Sequence, residues 1–289
     1  MAHIIGASIW QRLRDTGWGD DLDKNNTYDL QPLMKHALVR KPQELTDRIW
    51  SNIKPTLIPI LTDLREKRLE RERVHTLKTR HVLAANVLKT YSLQRILTDI
   101  IPGIPDVCEM PPFKTVIWDT PIDVEVKEIA FQSAAEQLPQ LVNQWRDDKD
   151  TELLHILDPS FELAKDRDQL DRATSQFHCL KCNHAIAYPR ILNHRCMTAY
   201  GHNKYEGLDK TLDRIWNIIS YQPWNFDKRL REARTKVRHV IACCLEGPDS
   251  ATSEEMDRLD PRLECSHCSS VNRGGRLAMD WRSAVSYYC

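Results

Sequence analysis

The sequence contains little glycine, with nine glycines among 289 residues. So few glycines argue against an all-β protein with many tight turns and against glycine-rich loops that bind phosphate groups. The motifs G-x-G-x-x-G and G-x-x-x-x-G-K-[ST] are absent, and so are G-x-S-x-G and H-E-x-x-H. These absences remove the usual signatures of nucleotide-binding folds, α/β-hydrolases and zinc proteases. We therefore expect a protein that is not an enzyme and has no small-molecule substrate.

The sequence also lacks an excess of charge of either sign and any long apolar run. Lys plus Arg number 41 and Asp plus Glu number 41, so no overall charge favours nucleic acid or an anionic membrane. No apolar run approaches the roughly 20 residues that cross a bilayer. The brief apolar stretch at the start is interrupted by Arg12 and Arg14, which is not typical of a signal peptide. We expect an intracellular protein, in the nucleus or the cytoplasm, that does not bind a membrane.

Hydrophobic residues make up 41% of the chain, enough for a buried core, and their spacing favours helices. One stripe recurs every three to four residues, the period of an α-helix with one buried face. Its members are Leu45, Ile49, Ile53, Leu57, Ile60, Leu61 and Leu64. Pro55 and Pro59 are expected to kink or split this helix. The sequence therefore predicts a mainly α fold.

Changes in composition along the chain predict five segments. Prolines concentrate between residues 101 and 123, which is typical of a connector between folded parts. The expected segments are a helical N-terminal unit over residues 1–100, a Pro-rich connector over 101–123, a helical middle over 124–170, a small zinc-stabilised ββα-like module over 171–206, and a helical C-terminal unit over 207–289 that carries a second Cys-x-x-Cys knuckle.

Two stretches of the chain are rich in charged residues. Basic and acidic residues alternate from Arg65 to Arg73, which predicts a solvated helix with ion pairs between successive turns. The alternative is an arm that contacts another molecule, such as nucleic acid. The acidic residues between Asp147 and Asp150 are interpreted as a polar corner, because no partner for them is evident in the sequence.

Two Cys-x-x-Cys knuckles are the most informative motifs, because two thiolates so close together can bind one Zn²⁺ from a tight turn. The first has the spacing C-x2-C-x11-H-x-C, with Cys179, Cys182, His194 and Cys196 as ligands. Four protein ligands would close the site and make the zinc structural, not catalytic. His202 is the competitor of Cys196 for the fourth position, and His184 is a weaker candidate.

The residues around the first knuckle resemble a ββα zinc finger. Ile186 and Leu192 occupy the positions where that fold keeps two apolar core residues, and Pro189 can open a short helix. The usual finger has a second His three to five residues after the first. Here Cys196 follows His194 after one residue, so we expect the helix to end or unwind at His194.

The second knuckle, Cys265-Ser-His-Cys268, has no downstream His and two possible completions. Upstream, His239 and Cys243 are four residues apart and would share one face of a helix. Downstream, steps of four residues from Leu277 through Trp281 and Val285 lead to Cys289, which a C-terminal helix could bring back. Cys244 could replace Cys243. One zinc ion is expected at the first knuckle, and a second is possible here.

Five stretches of the sequence carry a resemblance to a protein family: Val39–Trp50, Arg68–Glu72, Tyr188–Cys196, Ala251–Asp260 and Trp281–Val285. Together they are similar to uncharacterised proteins of mushroom-forming fungi, the basidiomycetes, many of which are described as F-box-associated. The resemblance implies an adaptor role in a ubiquitin ligase. The chain departs from it in lacking a Leu-Pro-x-Glu-Leu-type helix of an F-box. It also has Ser286-Tyr-Tyr-Cys289 where the relatives have a His.

These observations favour one function over two others. The leading prediction is an intracellular interaction or scaffold protein with structural zinc and a protein partner. The alternatives are a zinc-finger protein that binds nucleic acid and a substrate adaptor of an F-box-type ubiquitin ligase. Against nucleic acid, the finger offers few basic contacts beyond Arg190 and Arg195, and specific binders concentrate basic residues on one face.

Overall fold

The computed structural model describes residues 2–40, 44–157, 167–199, 221–225, 230–266 and 277–287. Of these residues, 65% are helical and 8% are in strands, which confirms the predicted mainly α fold. The chain divides into two compact units, Met1–Thr79 and Arg80–Cys289. This division differs from the first boundary that the composition predicts, near residue 100. In the part of the chain that the structure describes, no helix has the length and apolar character to cross a membrane.

The first unit is built from helices. In chain order they are α1 (Ala2–Leu13), a π-helical turn (Arg14–Trp18), α2 (Gly19–Lys24), α3 (Gln31–Met34), α4 (Ala37–Arg40) and the start of α5 (Asp47–Ser92). The predicted stripe faces the core: Ile53, Leu57, Leu61 and Leu64 on α5 are buried in one cluster with Leu13 and Leu33, and Leu45, Ile49 and Ile60 pack against that cluster partly buried. Helix α5 continues through Pro55 and Pro59 instead of splitting there. Core packing on the residues that follow each proline offsets the backbone hydrogen bonds that proline removes.

The charged stretch of α5 is not simply a solvated helix. Asp21 on α2 is fully buried and accepts hydrogen bonds from Arg65 Nε at 2.8 Å and from Arg68 Nη2 at 2.8 Å. Burial acts to raise the pKa of Asp21, but the two guanidinium groups outweigh it and lower that pKa. Arg71 forms an ion pair with Asp29 at 3.2 Å. These arginines therefore fasten the first helices of the unit onto α5, because a buried carboxylate needs charged partners.

The predicted Pro-rich connector over residues 101–123 is folded. It forms α6 (Ile104–Glu109), α7 (Pro111–Lys114) and a π-helical turn (Thr115–Asp119). Both helices have proline in their first turn, where its missing N–H costs nothing and its fixed φ suits a helix. The side chains of Val107, Cys108, Phe113 and Ile117 are fully buried. The prolines of this segment therefore start helices that carry core residues.

Arg80 on α5 holds the segment that follows α7. Its side chain is 1% exposed. The guanidinium donates to four backbone carbonyl oxygens: Ile117 at 2.9 Å, Thr120 at 2.7 Å, Pro121 at 2.6 Å and Val124 at 3.0 Å. Burial lowers the pKa of Arg80, but an arginine keeps its charge. The predicted helical middle follows, as a 3₁₀ turn (Glu128–Phe131) and helix α8 (Gln132–Leu157).

The remainder of the second unit combines small sheets with short helices. A 3₁₀ turn (Arg167–Gln169) precedes β1 (Gln176–Cys179) and β2 (Ala185–Ala187); then come a 3₁₀ turn (Arg190–Asn193), α9 (Arg195–Thr198), β3 (Leu230–Glu232), α10 (Arg234–Ala242), α11 (Ser253–Leu259), β4 (Arg262–Glu264), β5 (Ala278–Asp280) and α12 (Trp281–Ser286). One antiparallel sheet has the order β2-β1-β3, and β4 pairs with β5. The segment over 207–289, predicted as helical, thus includes three strands.

The C-terminal helix is shorter than a helix over Leu277–Cys289, which the apolar steps of four residues allowed. Strand β5 occupies residues 278–280, and Asp280 caps α12 by accepting the N–H of Ser283 at 2.7 Å. Tyr287 has an extended backbone at the other end of the helix. Trp281 and Val285 are buried in a core that also contains Val237. A helix over six residues therefore stands where the downstream alternative needed a continuous helix toward Cys289, which lies outside the described residues.

Candidate metal centre

The first knuckle is a tight turn between β1 and β2. Strand β1 ends at Cys179, whose N–H donates to the carbonyl of His184 at 2.8 Å. Asn183 donates its N–H to the carbonyl of Cys179 at 2.7 Å, and its φ is 61°. Asn tolerates this left-handed conformation better than most residues. The turn brings Cys182 back toward Cys179 and sends the chain into β2.

The turn also supplies hydrogen bonds to sulfur. Cys179 is fully buried, and burial alone acts to raise its pKa. The backbone N–H groups of Cys182 and Lys181 donate to its sulfur atom and lower the pKa below the ordinary value. Cys179 and Cys182 are not joined in a disulfide bond. The knuckle therefore holds two separate sulfur ligands, one of them stabilised as a thiolate.

The second pair of ligands comes from the segment after β2. The 3₁₀ turn Arg190–Asn193 buries Ile191 and Leu192, as the predicted core position of Leu192 requires. His194 then has an extended backbone, with φ of −68° and ψ of 119°. Cys196 lies in the first turn of α9, directly after it. The prediction that the helix ends at His194 is confirmed, and a 3₁₀ turn with a four-residue helix takes the place of the finger helix.

Four potential ligand atoms meet at this point. The Sγ atoms of Cys179, Cys182 and Cys196 and a ring nitrogen of His194 all lie within 4.8 Å of one another. Cys182 Sγ is 3.4 Å from His194 Nε2. Among the described residues, this is the one group of three or more Cys, His, Asp or Glu side chains with such a spacing. The arrangement could hold one metal ion.

The electrostatics of the cluster favour a cation. Burial and the neighbouring sulfur atoms raise the pKa of Cys196 to about 11, because three thiolates repel one another. Burial and the nearby His184 lower the pKa of His194, which favours the neutral imidazole that binds metals. A bound cation would remove the repulsion among the sulfur atoms.

His184 lies beside the cluster but is not part of it. Its Nδ1 is 2.7 Å from the carbonyl oxygen of Cys182, so the ring supports the turn. His178 contacts the side chain of Asn183 at 2.8 Å in a similar way. The structure thus places Cys196, and not His184, among the four side chains. His202, the other candidate for the fourth position, lies outside the described residues.

The second predicted site is not assembled among the residues that the structure describes. His239 and Cys243 lie on the exposed face of α10 and at its C-terminal end, while Val237 and Ile241 on the other face are fully buried. The structure does not bring His239 and Cys243 into one cluster with Cys265. Cys268 and Cys289 lie outside the described residues. A second metal site therefore stays a prediction.

One polar cluster beside the centre was missed by sequence reasoning, which had found no partner for the acidic residues 147–150. Asp150 is fully buried, 2.8 Å from Arg167 Nη2 and 3.2 Å from the hydroxyl of Tyr188. Burial raises the pKa of Asp150 and that of Tyr188, the latter to about 12. Tyr188 follows β2, so this cluster ties the metal module to α8. The partners are 17 and 38 residues from Asp150, and no local pattern indicates them.

The comparisons with known proteins give no family. No family model, no curated protein and no solved structure matches this chain. The resemblance to basidiomycete F-box-associated proteins therefore stays a prediction.

Proposed function

We propose that this protein is an interaction or scaffold protein whose Cys179, Cys182, His194 and Cys196 bind one structural zinc ion. The donor set supports zinc, since three thiolates and an imidazole suit that metal better than Mg²⁺ or Ca²⁺. In a tetrahedral site with Zn–S bonds of about 2.3 Å and Zn–N bonds of about 2.0 Å, neighbouring ligand atoms lie about 3.5–3.8 Å apart. The 3.4 Å between Cys182 Sγ and His194 Nε2 fits that edge. This cluster is the observation that carries the proposal.

The zinc ion would stabilise and not catalyse. Four protein ligands leave no open position for a substrate or a reactive water molecule. The metal would join the β1–β2 turn to the segment Arg190–Thr198, two pieces too short to bury a core by themselves. With the β1–β2 turn and the segment Arg190–Thr198 joined by the metal, the two would form one rigid surface.

A protein partner is supported by an apolar groove in the same unit. A groove of about 500 Å³ lies between the end of α5 and the start of α8, lined by Val87, Tyr91, Phe131 and Leu138 among others. Ile129 at its rim is 72% exposed. Leu93, Ile96 and Leu97, just after the groove-lining Tyr91, are 77%, 70% and 106% exposed. Exposed apolar side chains concentrated in this way are typical of surfaces that bind proteins.

Nucleic-acid binding is a weaker proposal. The prediction of nucleic-acid binding invoked the basic residues between 65 and 73 as a possible contact arm. Arg65, Arg68 and Arg71 are held in ion pairs with Asp21 and Asp29 of the same unit. Guanidinium groups engaged in this way are not available to neutralise phosphates.

Native mass spectrometry of the intact protein, purified without added zinc, tests the proposal. We expect one zinc ion per chain, its loss in Cys182→Ser, and its retention in Lys181→Ala, which alters an exposed side chain of the same turn. A folded, metal-free wild-type protein would refute the proposal. A second ion that disappears in Cys243→Ser would instead identify the site expected at Cys265 and Cys268.

A further inference from the structure

The groove between the end of α5 and the start of α8, with its volume of about 500 Å³, has two walls with helical spacing. One wall consists of four residues at steps i, i+3, i+4 and i+7: Val87, Thr90, Tyr91 and Gln94. The other wall begins in the 3₁₀ turn before α8 and continues along that helix: Glu128, Ile129, Phe131, Gln132, Ala135 and Leu138. Seven residues of helix rise about 10 Å, so each wall is about two helical turns long.

The floor of the groove is apolar and firmly packed. Phe131 and Leu138 are fully buried, and the ring of Phe131 stacks on that of Phe113 with 5.9 Å between centroids. Ala135 and Tyr91 are half-buried above this floor. Because alanine has no atom beyond Cβ, the middle of the groove leaves room for apolar side chains of another molecule. The groove is therefore formed before anything binds, as is usual for binding clefts.

The backbone of the walls favours a helical occupant over an extended one. Both walls are helical, so their N–H and carbonyl groups bond within their own segments and offer no edge to an added strand. An extended peptide would lay unpaired backbone groups over an apolar floor, whereas a helix satisfies its own. A helix also presents side chains at i, i+4 and i+7 along about 10 Å, the length of each wall.

The charge of one wall selects among helices. Glu128 is exposed and is the charged residue among the described residues that line the groove. No ion pair of Glu128 within 4.0 Å is found among the described residues. A second carboxylate lies near this wall, since Glu136 accepts a hydrogen bond from Gln132 Nε2 at 3.3 Å. Lys127 adjoins Glu128 in sequence but does not line the groove. A basic side chain of an occupant would therefore complement this wall.

The opposite wall differs in charge. Arg95, just after α5, donates to the hydroxyl of Tyr91 at 2.6 Å, and its guanidinium lies 4.7 Å from the centre of the tyrosine ring. The α5 wall thus carries a cation and the α8 wall a carboxylate. A helix whose apolar stripe has a basic residue on one side is then oriented, with that side toward Glu128.

We propose that this groove binds an amphipathic helix of a partner protein, which lays three apolar side chains at i, i+4 and i+7 over Ala135 and Tyr91 and places a Lys or Arg beside Glu128. The proposal rests on the proposed function as an interaction protein and names the kind of partner. The helical walls account for the conformation of the occupant and Glu128 for its basic residue. None of the four residues of the metal cluster lines the groove, so the two sites can be tested separately.

Selection from a displayed library of helical peptides of about 18 residues, long enough to hold a helix in water, tests this proposal on the full chain. We expect enriched peptides to carry apolar residues at i, i+4 and i+7 with Lys or Arg beside them. Their synthetic versions should bind at least about tenfold more weakly to Ala135→Trp, which fills the groove, and to Glu128→Lys. Asn143→Trp and Glu125→Lys, exposed changes outside the lining, should bind like the wild type.

An exchange of charges locates the basic residue of the peptide. A selected peptide whose Lys or Arg is replaced by Glu should lose binding to the wild type and regain it with Glu128→Lys. Far-UV circular dichroism of each variant confirms that it is folded.

Four results would overturn the proposal: no enrichment, enriched sequences without helical spacing, undiminished binding by Ala135→Trp, or binding that ignores the charge at position 128. Self-association of the protein that Ala135→Trp abolishes would also overturn it, because a second copy would then occupy the groove. Zinc content measured on the same samples separates the two ideas. A zinc-loaded protein that selects no helix refutes the groove alone, and a metal-free protein that binds the helix refutes the zinc site alone.

Discussion

Replacing Arg80 by Met should destabilise the second unit, because one guanidinium group satisfies four backbone carbonyls there. Methionine keeps most of the apolar length of the side chain but offers no donor. The carbonyl of Ile117 would then be buried without a partner, while those of Thr120, Pro121 and Val124 are partly buried and can gain water. The loss therefore falls mainly on the one buried carbonyl and the surrounding segment.

The size of the effect follows from these four hydrogen bonds. Leaving a buried carbonyl unsatisfied costs about 1–3 kcal/mol, and each partly exposed bond contributes about 0.5–1.5 kcal/mol. The buried methionine side chain returns roughly 1–2 kcal/mol. We expect the free energy of unfolding to fall by about 3 kcal/mol. The free energy of unfolding of Arg80→Lys should lie between those of the wild type and Arg80→Met, because an ammonium group has three donors and cannot reach all four carbonyls.

Urea unfolding followed by far-UV circular dichroism measures this change. Lys78→Met is the matched control, since Lys78 is an exposed cation on the same helix and its replacement should change stability by no more than about 0.5 kcal/mol. Chymotrypsin should also cleave faster after Trp118 in Arg80→Met, because Arg80 no longer holds the segment that contains Trp118. A loss within about 1 kcal/mol of that of the control would refute the reasoning.

Two further predictions concern buried carboxylates. Arg68→Ala removes one of two partners from the buried Asp21 and should cost about 3–5 kcal/mol in urea unfolding, whereas Lys67→Ala, which breaks an exposed ion pair, should cost under about 1 kcal/mol; equal costs would contradict it. Burial raises the pKa of Asp106, despite hydrogen bonds from Trp145 and Trp224. Because its pKa is raised in the folded state, the protonated form of Asp106 stabilises the fold. This contribution is complete below the unfolded pKa of about 3.9 and is lost as pH rises through the higher folded pKa. Asp106→Asn should therefore gain stability relative to the wild type as pH rises from about 4, and parallel pH profiles would show otherwise.

The sequence predicted features that depend on regular spacing. The apolar period between Leu45 and Leu64 gave the first half of α5 and its buried face. The Cys-x-x-Cys turn and the single residue between His194 and Cys196 gave all four members of the cluster and the break at His194. Such features are local, because the positions involved are fixed by one turn or one helix.

Interactions between distant segments could not be predicted in the same way. Arg68 is 47 residues from Asp21. The alternating charges around Arg68 are equally typical of a solvated helix, so they do not indicate this partner. The prolines over 101–123 were interpreted as a connector, but proline also suits the first turn of a helix, and the burial of Phe113 shows that this segment belongs to the core. The second knuckle likewise depends on where Cys268 lies, which no spacing fixes.

Among the described residues Arg80 donates only to main-chain oxygens, so it recognises the backbone path of the segment after α7 and not its side chains. Substitutions at Thr120 or Val124 leave the four acceptors in place, so the segment can diverge in sequence without loosening this attachment. Arg80 itself has no such freedom, since no other side chain offers the same planar array of donors. Mutational tolerance should therefore be sharply unequal on the two sides of one contact.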